Sequence, residues 1–148
     1  MIKAVSEHRR RRDDSSDAGF TLVELLVVMA ILAMLATIAG PQVMRYLGKA
    51  RTDAAKVQIS GIVSAAELYA LDNGSYPPQD IGLKALVEPP AGASRWNGPY
   101  LKKAAGLIDP WGRPFGYKVE QRSGQITIFT LGRDNAAGGS GEDQDVSN

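Results

Sequence analysis

The stretch Gly19-Phe20-Thr21-Leu22-Val23-Glu24 opens an apolar run that continues to Gly40 and in which Glu24 is the only charge. As a helix, its 21 residues from Phe20 to Gly40 rise about 30 Å, the thickness of a bilayer core. Nothing else in the chain is comparably apolar. A small residue precedes the run, a bulky Phe begins it, and an acid sits at its fifth position. A carboxylate at mid-membrane costs about 2.5–3.5 kcal/mol. Glu24 therefore either meets a counter-charge, or it snorkels to the interface or is protonated at the helix end.

On the N-terminal side, residues 1–18 are polar, rich in Arg, Ser and Asp, and show no periodicity, which predicts an unfolded leader. Arg9 to Arg12 form a topogenic charge cluster rather than a nucleic-acid patch, and the positive-inside rule places this end in the cytoplasm. Arg45, Lys49, Arg51 and Lys56 on the far side of the run weaken that asymmetry. An ordinary secretory signal is the rival reading. Thr37-Ile38-Ala39 offers a small-x-small site, and a cut after Ala39 would free a secreted calcium-binding or ligand-binding module.

On the C-terminal side the helical pattern does not stop at Ala39. Apolar or small residues recur every three or four positions at Val43, Leu47, Ala50, Ala54, Val57, Gly61, Ala65 and Leu68, predicting one buried face that extends to about Asp72. Pro41 lacks an N–H and clashes with the preceding turn, so it should kink this helix; the alternative is that Gly40-Pro41 ends the membrane segment. Asp72-Asn73-Gly74 supplies a stop, and Pro77-Pro78 prevents a restart.

Beyond the helix, residues 73–148 are too few for a large core of their own and must use the helix as part of it. Gly82 to Val87 reads as a short helix with Leu83, Leu86 and Val87 inward, and residues 88–94 as a loop. Trp96, Tyr100, Pro110, Trp111, Pro114 and Phe115 pin loops onto the core rather than forming a carbohydrate platform. Phe115, Tyr117 and Val119, a turn at Arg122-Ser123-Gly124, then Ile126, Ile128 and Thr130 make a β-hairpin spanning 115–131 on a small antiparallel sheet. The Gly-rich tail 132–148 carries Asp134, Glu142, Asp143 and Asp145, which suits either solvated disorder or a hard cation such as calcium.

Composition removes several functions. The chain has no cysteine and one histidine, His8 in the leader, which excludes disulfides, thiolate metal sites, His-dependent triads and His-ligated zinc downstream. The leader's five bases and four acids, out of 17 and 16 overall, leave the remainder formally neutral, which argues against a nucleic-acid binder. No phosphate loop or nucleophile–base pair is present, so the chain is not expected to be an enzyme.

Gly19, the segment Phe20-Thr21-Leu22-Val23-Glu24-Leu25-Leu26-Val27-Val28, and Pro41, the twenty-second residue from Phe20, together resemble the class III signal of type IV pilins and type II secretion pseudopilins. Leu71-Asp72-Asn73-Gly74-Ser75-Tyr76-Pro77, Trp96-Asn97-Gly98-Pro99-Tyr100, Asp109-Pro110-Trp111-Gly112-Arg113-Pro114-Phe115 and Leu131-Gly132-Arg133-Asp134 resemble the major-pseudopilin family, general secretion pathway protein G. That resemblance implies an α+β pilin-like fold: a long kinked N-terminal helix, transmembrane over 20–40, with a periplasmic domain over 41–148 whose small antiparallel sheet head carries a calcium-type C-terminal loop. It implies that a prepilin peptidase removes residues 1–19 by cutting between Gly19 and Phe20 and N-methylates Phe20. Glu24 would then meet the new amine of a neighbouring subunit and set the register of assembly. Calcium would be held by Asp134, Asp143 and Asp145 with backbone carbonyls near Leu131 and Val146, with Glu142 competing with Asp145 as a ligand.

The implied partners are further copies of the chain as a homopolymer, minor pseudopilins, the inner-membrane assembly platform and, before assembly, the membrane. The implied place is the bacterial inner membrane, single pass, with the head in the periplasm. The implied function is the major subunit of a pseudopilus that drives folded proteins through an outer-membrane channel. A type IV pilin for adhesion or DNA uptake is the nearest alternative; the lack of a cysteine pair to clamp its C-terminal loop disfavours it.

Overall fold

A computed structural model describes residues 20–120 and 123–148. The leader, with Gly19 and the Arg cluster, and Arg122 of the hairpin turn lie outside the described residues. The chain divides into two compact units, one ending at Ala39 and one running from Gly40 to Asn148.

The helix α1 (Leu22–Asn73, 52 residues) includes Pro41 within its span, so Gly40-Pro41 does not end it. Up to Ala39 its large apolar side chains are exposed, among them Leu22, Leu26, Met34 and Ile38. At the other end, Gly74 takes a positive φ of 85° and donates to the Ala70 carbonyl at 2.8 Å, a C-terminal stop that glycine adopts without steric cost. Arg95 reaches back to the Asn73 carbonyl at 2.8 Å and satisfies one of the orphaned acceptors there.

Within the second unit the buried face of α1 is Gly48, Thr52, Ala55, Ile59, Ile62, Ala65, Ala66 and Tyr69. This corrects the expected stripe. The period is helical as expected, but the phase lies about one residue further on. Val43, Leu47, Val57 and Leu68 are exposed, and only Ala65 of the expected set is buried. The helix has two apolar faces, and the buried one sets the small residues Gly48, Ala55, Ala65 and Ala66, which hydropathy undervalues, among Ile59, Ile62 and Tyr69. Its polar member, Thr52, is satisfied by donating its hydroxyl to the Gly48 carbonyl at 3.1 Å.

Against this face sit the short 3₁₀ helix Gly82–Leu86 and a three-stranded antiparallel sheet in the order β1 (Gly116–Val119), β2 (Ile126–Thr130), β3 (Val146–Ser147). The hairpin register pairs Tyr117 with Ile128 and Val119 with Ile126; β3 adds Val146 opposite Thr130. Ile126, Ile128 and Thr130 face inward and Thr127 outward, the period-two pattern of a sheet with one wet side. The third strand has no signature in the sequence, because two residues of a Gly-rich acidic tail carry no alternation to read. In the 3₁₀ helix Ala85 is fully buried and Val87 only half-buried, since a three-residue turn brings different positions inward than an α-helix does.

The aromatic residues pack, as expected. Tyr69 and Trp96 each meet Tyr100 edge-on, with ring centroids 5.5 and 5.7 Å apart. The Trp96 indole donates to the Ala85 carbonyl at 2.8 Å and the Tyr100 hydroxyl donates to Asp72 at 2.8 Å. The Tyr117 hydroxyl donates to the Pro77 carbonyl at 2.7 Å, and burial, with smaller contributions from Tyr69 and Tyr76, pushes its pKa up to about 12.

Candidate functional site

Two places carry the residues singled out in the sequence: the start of α1 and the C-terminal loop. At the first, Thr21 caps the helix, its hydroxyl accepting the Glu24 N–H at 3.2 Å while its carbonyl accepts the Leu25 N–H at 3.2 Å. Thr21 and Glu24 stand at the spacing of a capping box, which also places the acid at the positive end of the helix dipole. The Thr-x-x-Glu pattern of Thr21 and Glu24 is the sequence signal for this cap. Phe20, just ahead of the cap, is exposed.

At the second place, the Asp109–Phe115 segment and the tail converge on α1. Asp109 is buried and gathers three donors: the backbone N–H groups of Trp111 (3.0 Å) and Arg113 (2.8 Å), and the Thr130 hydroxyl (2.5 Å). That turn presents the Trp111 indole to Glu142 at 3.1 Å. Glu142 also accepts from Arg51 of α1 at 2.9 Å and lies 3.5 Å from Arg133. Its side chain is 16% exposed and packs over Gly48, where an added Cβ would come within 3.0 Å of its carboxylate. The Thr52 hydroxyl, whose one hydrogen is shared with the Gly48 carbonyl, lies 3.3 Å from the Gly141 carbonyl. The tail is thereby latched to the helix. Arg51 and Glu142 are separated by 91 positions, so nothing local in the sequence pairs them.

The indole donor, then Arg51, with Arg133 adding attraction, hold the Glu142 carboxyl below its ordinary value near 4.5, while burial opposes them. A pKa lowered on folding stabilises the folded chain above the ordinary value, and that contribution is lost as pH falls below about 4.5 through the folded pKa. Melting temperature followed from pH 7 to pH 3 should therefore fall more steeply for the native chain than for Glu142→Gln. Parallel curves would exclude the latch as an acid-sensitive element.

The remaining carboxylates of the tail each have a partner. Arg133 holds both oxygens of Asp143, at 2.8 and 3.0 Å; Asp145 accepts the Gly138 N–H at 3.0 Å and Asp134 the Ala136 N–H at 3.1 Å. Among the described residues no three acids stand together as a metal group. The donor chemistry nevertheless suits a hard cation. Side-chain carboxylates share the loop with backbone carbonyls folded tightly around Gly132, whose φ is +67° and whose absent Cβ would lie 2.8 Å from the Asp143 carbonyl and 2.9 Å from that of Gln144. Arg133 supplies the positive charge beside Asp143, and its own pKa is raised by that carboxylate.

Residues 42–148 match the family model described as type II secretion system, protein G, and residues 14–40 match the prokaryotic N-terminal methylation motif. The chain belongs to the type II secretion system protein G family. It is 41% identical over 143 residues to the type II secretion system core protein G of Pseudomonas aeruginosa, covering 94% of this chain and 97% of the relative. The Vibrio cholerae core protein G is 38% identical over 133 residues, covering 88% and 90%. The fold is similar to the crystal structure of the major pseudopilin from the type 2 secretion system of enterohaemorrhagic Escherichia coli, with a TM-score of 0.55 at 27% identity over 71% of this chain and 91% of that one. The methylation-motif match overlaps the part of α1 that is long and apolar enough to cross a membrane, and the chain is membrane-anchored through it.

Proposed function

We propose that this chain is the major structural subunit of a type II secretion pseudopilus. It polymerises through α1 to drive folded proteins across the outer membrane and performs no chemistry itself. The observation that carries the reading is the pairing, on one chain, of a methylation-motif match over 14–40 with a protein G match over 42–148. A prepilin peptidase cuts between Gly19 and Phe20 and methylates Phe20, leaving the apolar run in place as anchor and then as subunit interface. The N-terminus lies in the cytoplasm and the head in the periplasm. Minor pseudopilins and the inner-membrane assembly platform are the other partners.

The phase of the helix supports assembly. The stripe containing Val57, Leu68 and Leu71 is apolar, continues the period of the membrane run, and is 52–80% exposed on the isolated subunit. Pairing this stripe with other copies of the chain would give it the partner that the head does not. The deciding experiment is the mass and amino terminus of the mature protein. N-methyl-Phe20 on a protein recovered in sheared filaments supports the reading; a mature chain beginning at Gly40 replaces it with a secreted module.

Asp134, Asp143 and Asp145, with the carbonyls of Leu131 and Val146, are proposed to hold calcium, with Glu142 committed instead to the latch. Bound calcium would draw these acids together, taking the place of Arg133 at Asp143, and would stabilise the head by mass action. At a hundredfold excess over its dissociation constant that contribution is about 2.7 kcal/mol. The melting temperature should fall on adding chelator and recover with excess calcium. An unchanged melting curve would count against a structural ion.

A further inference from the structure

Between the apolar run and Asp53 the chain carries three bases, Arg45, Lys49 and Arg51, and no acid. Arg51 is committed to Glu142, and the next base, Lys56, to Asp53 at 3.4 Å. Among the described residues, Arg45 and Lys49 form no ion pair, and neither side chain makes a hydrogen bond. Both are exposed. Four positions apart, they lie one turn apart on the same face of α1. With Gln42 and Tyr46 they wall a shallow groove of about 240 Å³. They also border a larger groove toward the tail, but the acids lining that side, Asp53, Glu142 and Asp143, are already paired with Lys56, Arg51 and Arg133.

Two uncompensated cations on this flank run against the positive-inside rule for the orientation proposed above, so a counter-ion is expected there. The groove's chemistry matches a phosphate: a guanidinium fork for two oxygens, an ammonium point charge, an amide donor and a phenol suited to the membrane interface. Its depth matches too. A bilayer adds roughly 5–8 Å of headgroup on each side of its core. Along a helix Arg45 lies about 8 Å beyond Gly40 and Lys49 about 14 Å, within reach of headgroups for side chains that snorkel.

We propose that Gln42, Arg45, Tyr46 and Lys49 form a site for the phosphate of an anionic phospholipid in the periplasmic leaflet of the membrane that α1 crosses. Occupancy holds the unassembled subunit at a fixed depth. The proposal rests on the membrane-anchored reading of the chain.

The test reconstitutes the full chain in phosphatidylcholine vesicles containing a few per cent of spin-labelled phosphatidylglycerol or spin-labelled phosphatidylcholine. The readout is the fraction of each probe that the protein immobilises. The native chain should favour the anionic probe, and each cation near the surface contributes roughly fivefold, so the preference should fall roughly twentyfold or more when Arg45→Gln and Lys49→Gln are combined. It should weaken with salt and survive the charge-conserving pair Arg45→Lys with Lys49→Arg, which guards against misfolding. Equal immobilisation of the two probes by the native chain overturns the proposal. So does a preference untouched by the double substitution, and so does displacement of the lipid by millimolar inorganic phosphate, which would assign the groove to a free anion. Unchanged lipid preference with lost filament formation would assign the two cations to a neighbouring subunit. Failure of the native chain to insert would instead overturn the anchored reading itself.

Discussion

Replacing Glu24 by Gln is expected to give a chain that inserts, is processed and folds, yet assembles almost no filament. The Thr21 hydroxyl accepts the backbone N–H of position 24, which the substitution leaves in place, so the start of α1 is retained. The change removes the charge and nothing else of comparable size. A carboxylate about 4 Å from a cationic amine at an effective dielectric near 20 gains about 4 kcal/mol, roughly a thousandfold in association at each joint. That attraction offsets much of the cost of holding an acid in an apolar run. Filament yield after shearing and secretion of an exported protein are the measurements, with membrane fractionation and far-UV circular dichroism as controls for insertion and fold. Native filament levels from Glu24→Gln would remove the register role. Glu24→Ala likewise keeps the Thr21 cap, which uses the backbone N–H of position 24, so it should lose filaments to the same extent as Glu24→Gln if the charge is what matters.

The parts of the fold legible in the sequence are those written in short-range pattern. The apolar run, the stop at Asn73-Gly74 and the alternation of Ile126, Ile128 and Thr130 are each set within a few residues, and each appears where expected. The phase of α1 was not legible, because both of its faces carry apolar residues. Which one is buried depends on the fit of Gly48, Ala55 and Ala66 against the head, and hydropathy does not weigh fit. The latch was invisible for a different reason: Arg51, Trp111 and Glu142 come from three distant segments and read separately as a surface base, a packing aromatic and a possible ligand. Arg133 sits in the same segment as the acids it neutralises. A loop of like charges needs a cation, and the nearest base in sequence is the natural first candidate.

Ile128→Ala should be among the most destabilising single changes in the head. Ile128 is fully buried at the middle of β2, opposite Tyr117 on β1 and facing the core that α1 supplies through Ile59 and Ile62. Its backbone N–H donates to the Asn148 side chain at 2.7 Å, and its carbonyl accepts the Asn148 N–H at 3.3 Å, so the residue that fills the core also holds the end of the chain. Truncating such a side chain costs about 2–5 kcal/mol, the lost transfer energy plus the cavity left behind. A domain of this size has only about 5–15 kcal/mol to lose. The melting temperature should drop by roughly 10–20 °C. Thr127→Ala, one position away on the wet side of the same strand, should stay within about 0.5 kcal/mol of the native chain. Hydrogen exchange followed alongside should show β3 and the tail losing protection with the hairpin, because β3 has no neighbour in the sheet other than β2. Equal effects from the two substitutions would mean that the sheet is not held by its inner face, and the docking of the C-terminal loop onto α1 would then need another anchor.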